Sequence, residues 1–157
     1  LVVLVPAWHS VVLIHAGGAR GPVLVVVLLS LIWAADIAAY FCGKRWGRTP
    51  LARHISPGKT WEGVGGALLA STVLALGISF KMNMQFIEII KFMTISLVTV
   101  AASITGDLFE SLMKRGAGLK DSGHLLPGHG GVLDRIDSLT AAGPVFLAGI
   151  WLAGLAP

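Results

Sequence analysis

The chain has 157 residues, of which 55% are hydrophobic and only 13% are charged, and its mean hydropathy is +0.80. A soluble domain typically carries about 25% charged residues, so this composition argues against a soluble protein and favours one that has a lipid bilayer as its solvent. The net charge of +4 comes from loops between apolar runs, which is typical of an anionic lipid surface and argues against a nucleic-acid-binding protein.

Five apolar runs predict membrane helices in chain order. A helix that spans a bilayer needs about 20 apolar residues, and the runs either have that length or have flanks that can extend them. The runs are Leu1–His15, Pro22–Cys42, Val64–Phe80, Phe92–Gly106 and Leu139–Pro157. The first resembles the end of a helix. The sequence therefore predicts an all-α polytopic membrane protein with about four full transmembrane helices and a partial one at the N-terminus.

The chain begins at Leu1, inside an apolar run and without an initiating methionine. This start predicts the C-terminal part of a longer chain, with residues 1–157 forming one transmembrane catalytic domain. A signal peptide is not expected, because the first run has no basic stretch and no small-residue cleavage site. The single cysteine, Cys42, excludes an intramolecular disulfide and is expected to be a structural thiol.

Nine of the 12 lysines and arginines lie in two segments, at about residues 43–62 and 107–138. A helical hairpin separates the two segments, so both are expected on the same side of the membrane. The positive-inside rule makes that side the cytoplasm. The other two connections are short and nearly uncharged, as outside turns should be.

The first of these segments contains SPGKTWEG, residues 56–63. Its Gly-Lys-Thr resembles the end of a P-loop, but Arg53 stands where that motif needs a glycine, which excludes a P-loop. We expect instead a turn at Ser56-Pro57-Gly58 that holds Lys59 and Thr60 at a helix start, where they could bind phosphate or a lipid headgroup.

The second segment begins within a helix, at residues 106–118. Asp107, Glu110, Ser111 and Lys114 have the i, i+3, i+4, i+7 spacing that places side chains on one helix face. The sequence therefore predicts that these four side chains share one face of the helix.

Three aspartates in or beside this segment are candidate metal ligands: Asp107, Asp134 and Asp137. The last two are three residues apart and are predicted to project together from a helix that enters the last span. Carboxylates near one another cannot easily stay ionised without cations, and Mg²⁺ prefers oxygen ligands. We therefore expect one or two metal ions here; helix caps and surface ion pairs are the alternative.

Cations and glycines surround these aspartates, as a substrate with several phosphates would require. His129 is either a proton carrier, a hydrogen-bond donor to a phosphate, or a loop histidine without a special role, and His124 is a weaker candidate. The cations are Lys114, Arg115, Lys120 and Arg135, and the glycines are Gly128, Gly130 and Gly131.

Asp36 lies inside the second apolar run. An intramembrane carboxylate is costly and is therefore a candidate functional residue. The alternative is a packing carboxylate that is paired with a lysine of a loop.

Residues 111–137, SLMKRGAGLKDSGHLLPGHGGVLDRID, resemble the signature of the phosphatidate cytidylyltransferase family, whose members are also called CDP-diacylglycerol synthases. That signature reads Ser-x-x-Lys-Arg, then Lys-Asp, then Pro-Gly-His-Gly-Gly-x-x-Asp-Arg-x-Asp, and every fixed position is filled. Two further blocks, residues 55–63 and the Asp-x-x-Ala-Tyr at residues 36–40, resemble the same family.

The resemblance implies a nucleotidyltransferase that makes CDP-diacylglycerol and pyrophosphate from CTP and phosphatidate, with Mg²⁺, in the bacterial inner membrane. It implies a two-metal site with ligands among Asp107, Asp134 and Asp137. The expected partners are CTP, phosphatidate and the bilayer, without nucleic acid, and a homodimer is left open. Catalytic roles are expected for Lys114, Arg115, Lys120, Asp121, His129 and Arg135, and substrate-binding roles for Ser56, Lys59, Thr60, Gly128, Gly130 and Gly131.

Three other functions compete with this interpretation. A CDP-alcohol phosphotransferase would begin its motif with Asp-Gly-x-x-Ala-Arg and end it with aspartates four residues apart, and neither feature is present. A CTP-using lipid kinase would release CDP instead of pyrophosphate. A cation transporter would place its carboxylates at mid-membrane on broken helices, whereas most of these lie beside basic residues at helix ends.

Overall fold

The computed structural model describes residues 3–53, 55–119, 122–123, 131 and 133–155. Helices account for most of this part of the chain, and one short antiparallel strand pair interrupts them. The elements are α1 (Leu4–Ala16), α2 (Gly21–Trp46), β1 (Pro50–Ala52), β2 (Ser56–Thr60), α3 (Trp61–Lys81), α4 (Phe86–Gly116), a 3-10 turn (Leu133–Arg135) and α5 (Asp137–Leu152).

Three of these helices, α2, α3 and α4, are long and apolar enough to cross a membrane, and α1 and α5 are shorter apolar helices. The prediction of an all-α polytopic membrane protein is confirmed. The described part contains three full-length spans instead of the predicted four, because α5 has 16 residues. At a rise of 1.5 Å per residue α5 is about 24 Å long, which is less than the hydrocarbon core of a bilayer.

Helix α4 is longer than its apolar run because polar residues at both ends continue it. Gln85 and Glu88 form a capping box at its start, which satisfies backbone N–H groups that the helix leaves unpaired. Its last turn carries Lys114 and Arg115, and basic residues at a helix C-terminus are favoured by the helix dipole. The charged residues of the second predicted loop therefore begin on a continuous helix.

Small residues let α2 and α3 pack closely at the end that carries the strand pair. A side chain on Gly63 would place its Cβ 2.9 Å from the carbonyl oxygen of Ala39, and one on Gly66 would collide with the Sγ of Cys42. Close approach through small residues is a common way for membrane helices to associate. The packing of Cys42 against Gly66 agrees with the expected structural thiol.

The largest fully buried side chains of the core come from α1, α2, α4 and α5, and they include Leu28, Leu31, Phe92 and Phe146. Helix α4 packs against α3 and α5, while α2 packs against α3 and contacts α5. The ends of α2, α3, α4 and α5 that carry the charged segments thereby come together; we call this the loop end of the bundle.

The strand pair β1–β2 lies at the loop end, between α2 and α3. The strands are antiparallel: Pro50 pairs with Thr60 and Ala52 pairs with Ser56, and the register shifts between these two pairs. The turn predicted at Ser56-Pro57-Gly58 is wrong, because these residues lie in strand β2. The predicted helix start is confirmed, since Thr60 is the N-cap of α3 and its Oγ1 accepts a hydrogen bond from the Gly63 amide at 3.1 Å.

Candidate active site

A cleft of about 290 Å³ opens at the loop end, between α2, the strand pair, α3 and α4. Helix α2, strand β2 and helix α4 contribute side chains with oxygen or nitrogen atoms to it, whereas β1 and α3 line it only with Leu51, Gly63 and Val64. The polar lining residues are Asp36 and Tyr40 of α2, Lys59 and Thr60 of β2, and Asp107 of α4.

Lys59 and Asp107 form an ion pair across this cleft, although 48 residues separate them. Their side chains are about one quarter exposed, at 27% and 26%. The pair joins the strand between α2 and α3 to the face of α4, so the two charged segments of the sequence meet in one site.

Asp36 connects this cleft to a second one. It also lines a cavity of about 320 Å³ between α2 and α5, together with Asp134 and Asp137. The charges of Asp107 and Asp137 both act on Asp36, and that of Asp107 acts on Asp137. Three carboxylates from three helices thus repel one another at the loop end, and the Lys59 ammonium is an opposing charge near Asp36 and Asp137.

Asp134 has a different environment, because protein donors occupy both of its carboxylate oxygens. The Lys114 ammonium donates to Oδ1 at 2.7 Å. The amides of Ser122 and Gly131 donate to Oδ2 at 2.9 Å and 2.8 Å. Burial disfavours the charged form, but these bonds outweigh it and hold the pKa of Asp134 well below its usual range. Asp134 therefore links the backbone at Ser122 and Gly131 to Lys114 of α4.

The shared face predicted for α4 is confirmed by contacts along it. The Oγ of Ser111 is 3.5 Å from the Oδ1 of Asp107, and the Lys114 ammonium is 3.2 Å from the Oε1 of Glu110. Lys114 thus bridges Glu110 and Asp134, and its side chain is only 17% exposed.

Gly131 is required where it lies for steric reasons. A Cβ there would collide with the Oγ of Ser122 and lie 2.9 Å from the amide nitrogen of Gly123. The predicted close approach at Gly131 is made to the protein's own backbone, and the same arrangement brings the Gly131 amide to Asp134.

The remaining candidates divide into two groups. Arg115 is exposed on the last turn of α4 and belongs to none of the ion pairs among the described residues. Ser56 lies in β2 but does not line the cleft that Lys59 and Thr60 line. Lys120, Asp121, His124, Gly128, His129 and Gly130 lie outside the described residues, as does the side chain of Arg135.

The sequence reasoning did not single out Glu62, the second residue of α3. Its carboxylate accepts a hydrogen bond from the amide of Thr49, at 3.2 Å and 3.3 Å from its two oxygens. An acidic residue just inside the helix that Thr60 caps is a signal that could have identified it.

Residues 1–153 match the model of the cytidylyltransferase family. The phosphatidate cytidylyltransferase of Pseudomonas aeruginosa is 47% identical over 154 residues, which cover 98% of this chain and 56% of that protein. The enzyme of the same name from Haemophilus influenzae is 52% identical, over 81% of this chain and 45% of that protein. The chain therefore spans about half the length of the curated relatives it matches.

The fold also has a counterpart among solved structures. An intramembrane enzyme for archaeal membrane lipids biosynthesis superposes with a TM-score of 0.59 over 82% of this chain and 85% of that chain, at 18% identity. At that identity the likeness shows a shared fold. Because the family model matches residues 1–153 of this chain, the chain belongs to the cytidylyltransferase family.

Proposed function

We propose that the protein is a phosphatidate cytidylyltransferase, which converts CTP and phosphatidate into CDP-diacylglycerol and pyrophosphate. The names of the similar curated proteins support this assignment. The observation that carries it is the ion pair between Lys59 and Asp107, which brings both signature-bearing segments into one cleft at the loop end of the bundle.

In this reaction a phosphate oxygen of phosphatidate forms a new bond to the α-phosphorus of CTP. The bond from that phosphorus to the oxygen that bridges it to the β-phosphorus breaks, and pyrophosphate leaves with the electron pair. Both reactants are anions, so the protein must mainly position them and neutralise their charge. A strong general base is not needed.

The described residues suit these two tasks. Lys59 and Thr60 line the cleft beside the start of α3, where backbone amides and the helix dipole favour an anion. A lysine on a flexible stem can exchange a carboxylate partner for a phosphate. The cleft lies at the ends of apolar helices, so the acyl chains of phosphatidate can stay in the bilayer while its phosphate enters the site.

The magnesium ion that the family resemblance implies fits the chemistry of the donor set. Asp36, Asp107 and Asp137 supply carboxylate oxygens whose mutual repulsion a cation would relieve. Among the described residues no three acidic, histidine or cysteine side chains are already placed as a closed metal site. Asp107 would hold the ion once Lys59 turns from it to a phosphate, together with Asp137 and Asp36. Asp134 would have to release both Lys114 and two backbone amides.

Mg²⁺ bound there would neutralise the triphosphate and the charge that develops on departing pyrophosphate. The chain's own groups would then have separate tasks. Lys59 would hold a phosphate oxygen of the nucleotide, and Lys114, kept in place by Glu110 and Asp134, would keep the second segment next to α4. A second metal ion remains a prediction.

We further propose that the loop end faces the cytoplasm of a bacterial inner membrane. The excess of lysine and arginine in the two segments at this end supports that orientation, and bacterial relatives support the compartment. CTP is a cytoplasmic nucleotide, so this orientation would give the cleft direct access to it.

The test uses the full-length protein with phosphatidate, Mg²⁺ and CTP that carries its label either in the cytidine or in the γ-phosphate. A cytidylyltransferase transfers the cytidine label to the lipid and releases the γ-label in pyrophosphate. A CTP-using lipid kinase would transfer the γ-label to the lipid and release the cytidine label in CDP. Cytidine label that stays out of the lipid fraction would refute the proposed function.

A further inference from the structure

The Glu62 side chain links the two ends of the segment between α2 and α3. The Glu62 carboxylate accepts the Thr49 amide with both oxygens, at 3.2 Å and 3.3 Å. Thr49 lies just beyond the end of α2, and Glu62 is the second residue of α3. The contact therefore links the two ends of the segment that contains the strand pair.

The strand pair needs such a closing contact because it is small. It consists of a three-residue and a five-residue strand, and a two-stranded hairpin is at best marginally stable by itself. Next to the Glu62 contact, the amide of Trp61 donates to the Thr49 carbonyl at 3.0 Å. Glu62 and this backbone bond together fix the end of β2, where Thr60 pairs with Pro50.

The register of β2 determines where the Lys59 side chain points. Lys59 directly precedes Thr60, and the pairing of Thr60 with Pro50 fixes the backbone position from which the Lys59 side chain reaches Asp107. A slip of this pairing by one residue would displace Lys59 relative to Asp107. The position of the Lys59 ammonium in the cleft thus depends on the pairing of β2 with β1, whose Thr60–Pro50 end lies next to the contact between Glu62 and Thr49.

The chemistry of Glu62 also indicates a positioning role. A carboxylate beside a site for a triphosphate would repel the substrate if it faced the cleft. Glu62 is not among the residues that line the cleft, and its carboxylate points to the Thr49 amide. A negative group in the first turn of a helix is also favoured by the helix dipole.

We propose that Glu62 is a positioning residue that holds the β1–β2 strand pair in register and thereby places Lys59 against Asp107 and the bound nucleotide. Only the last part, the effect on the nucleotide, rests on the proposed function. The effect on Lys59 itself follows from the contacts alone and is measurable without any activity.

The first test measures the reactivity of Lys59 with an amine-reactive reagent by mass spectrometry, with exposed Lys44 as the internal reference. Glu62→Ala should raise labelling of Lys59 about tenfold relative to Lys44, since the ammonium loses its fixed partner. Glu62→Asp, whose shorter side chain keeps the charge but not the reach, should do the same. Glu62→Gln keeps an acceptor for the Thr49 amide and should remain close to wild type.

The chain offers a matched control in Glu88. It lies in the first turn of α4, and its carboxylate accepts the Gln85 amide at 2.8 Å, but it is at the opposite end of the bundle. Glu88→Ala removes a comparable contact between a carboxylate and a backbone amide and should leave the labelling of Lys59 unchanged. Equal effects of Glu88→Ala and Glu62→Ala would reduce the role of Glu62 to general stability and overturn the proposal.

The second test is a double-mutant cycle on the KM for CTP and on kcat. Glu62→Ala should raise KM about tenfold, equivalent to about 1.4 kcal/mol, and should add nothing in a Lys59→Gln background because it acts through Lys59. The proposal would be overturned if the effects of Glu62→Ala and Lys59→Gln on KM multiplied in the double variant. Unchanged labelling of Lys59 in both Glu62→Ala and Glu62→Asp would overturn it as well. If the wild-type protein makes no CDP-diacylglycerol, the proposed function fails and the labelling test alone decides the role of Glu62.

Discussion

The change Asp134→Asn separates two roles for this aspartate, a metal ligand and an anchor for the backbone around it. Asp134 accepts three short hydrogen bonds, one from the Lys114 ammonium and two from the amides of Ser122 and Gly131. Hydrogen bonds to charged groups contribute roughly 1.5–3 kcal/mol each. Asparagine keeps one acceptor oxygen and presents an NH₂ group to at least one of the three donors.

We therefore expect Asp134→Asn to weaken the anchor by roughly 3 kcal/mol, which corresponds to about a hundredfold change in the population of the released segment. Hydrogen exchange at the Ser122 and Gly131 amides should accelerate accordingly, and turnover should fall by more than tenfold while the protein still inserts into the membrane. Glu110→Gln is the matched control, because Glu110 also contacts Lys114 but accepts neither amide in the described hydrogen bonds. It should leave both amides protected.

A Mg²⁺ titration of the residual activity then assigns the role. An anchor predicts a lower maximal rate with an unchanged Mg²⁺ midpoint, whereas a ligand predicts a midpoint shifted upwards by about tenfold or more. Unchanged exchange at both amides would refute the anchor. A variant that keeps more than about a tenth of the wild-type rate, a loss below 1.4 kcal/mol, would refute both roles.

Four further outcomes are expected. Excess chelator should abolish turnover, and full activity in its presence would refute the metal assignment. Asp36→Asn should lower kcat by at least about tenfold with insertion intact, as measured in purified protein. Gly131→Ala should make the neighbouring backbone susceptible to proteolysis and slow turnover, because its Cβ would collide with Ser122. The pKa of Asp134 is lowered in the folded protein. Its anchoring contribution is therefore complete above the unfolded pKa of about 3.9 and is lost only as the pH falls through the lower folded pKa. The ratio of wild-type activity to Asp134→Asn activity should accordingly stay constant from about pH 8 to pH 5.

The helices could be predicted from the sequence because a bilayer imposes a strong requirement on composition and length. Runs such as Pro22–Cys42 have no other stable conformation in lipid, since every backbone polar group must be paired within the segment. The end of α2 was harder to predict. This helix continues to Trp46, beyond its apolar run, because an α-helix can extend into charged residues once the span has formed. The sequence did predict that a helix continues into the second charged segment, and α4 ends at Gly116.

The strand pair could not be predicted, because its sequence lacks the alternation of apolar and polar residues that indicates a strand. Residues 56–60 read as turn-formers, and their pairing with Pro50–Ala52 depends on a tertiary closure. That closure, from Glu62 to Thr49, joins residues thirteen positions apart and leaves no periodic signal. The meeting of the two charged segments could be inferred from topology, but the partners Lys59 and Asp107 could not.

The charges of the described residues at the loop end favour the proposal that a divalent cation and a polyphosphate enter together. Asp107 and Asp134 each have a lysine partner within hydrogen-bond distance. Among the described residues Asp36 and Asp137 have no such partner, and the two repel each other and Asp107. A free triphosphate would add further negative charge to this site and would be repelled. A nucleotide that carries Mg²⁺ brings the missing positive charge, and Lys59 can then exchange a carboxylate for a phosphate without leaving an uncompensated charge behind.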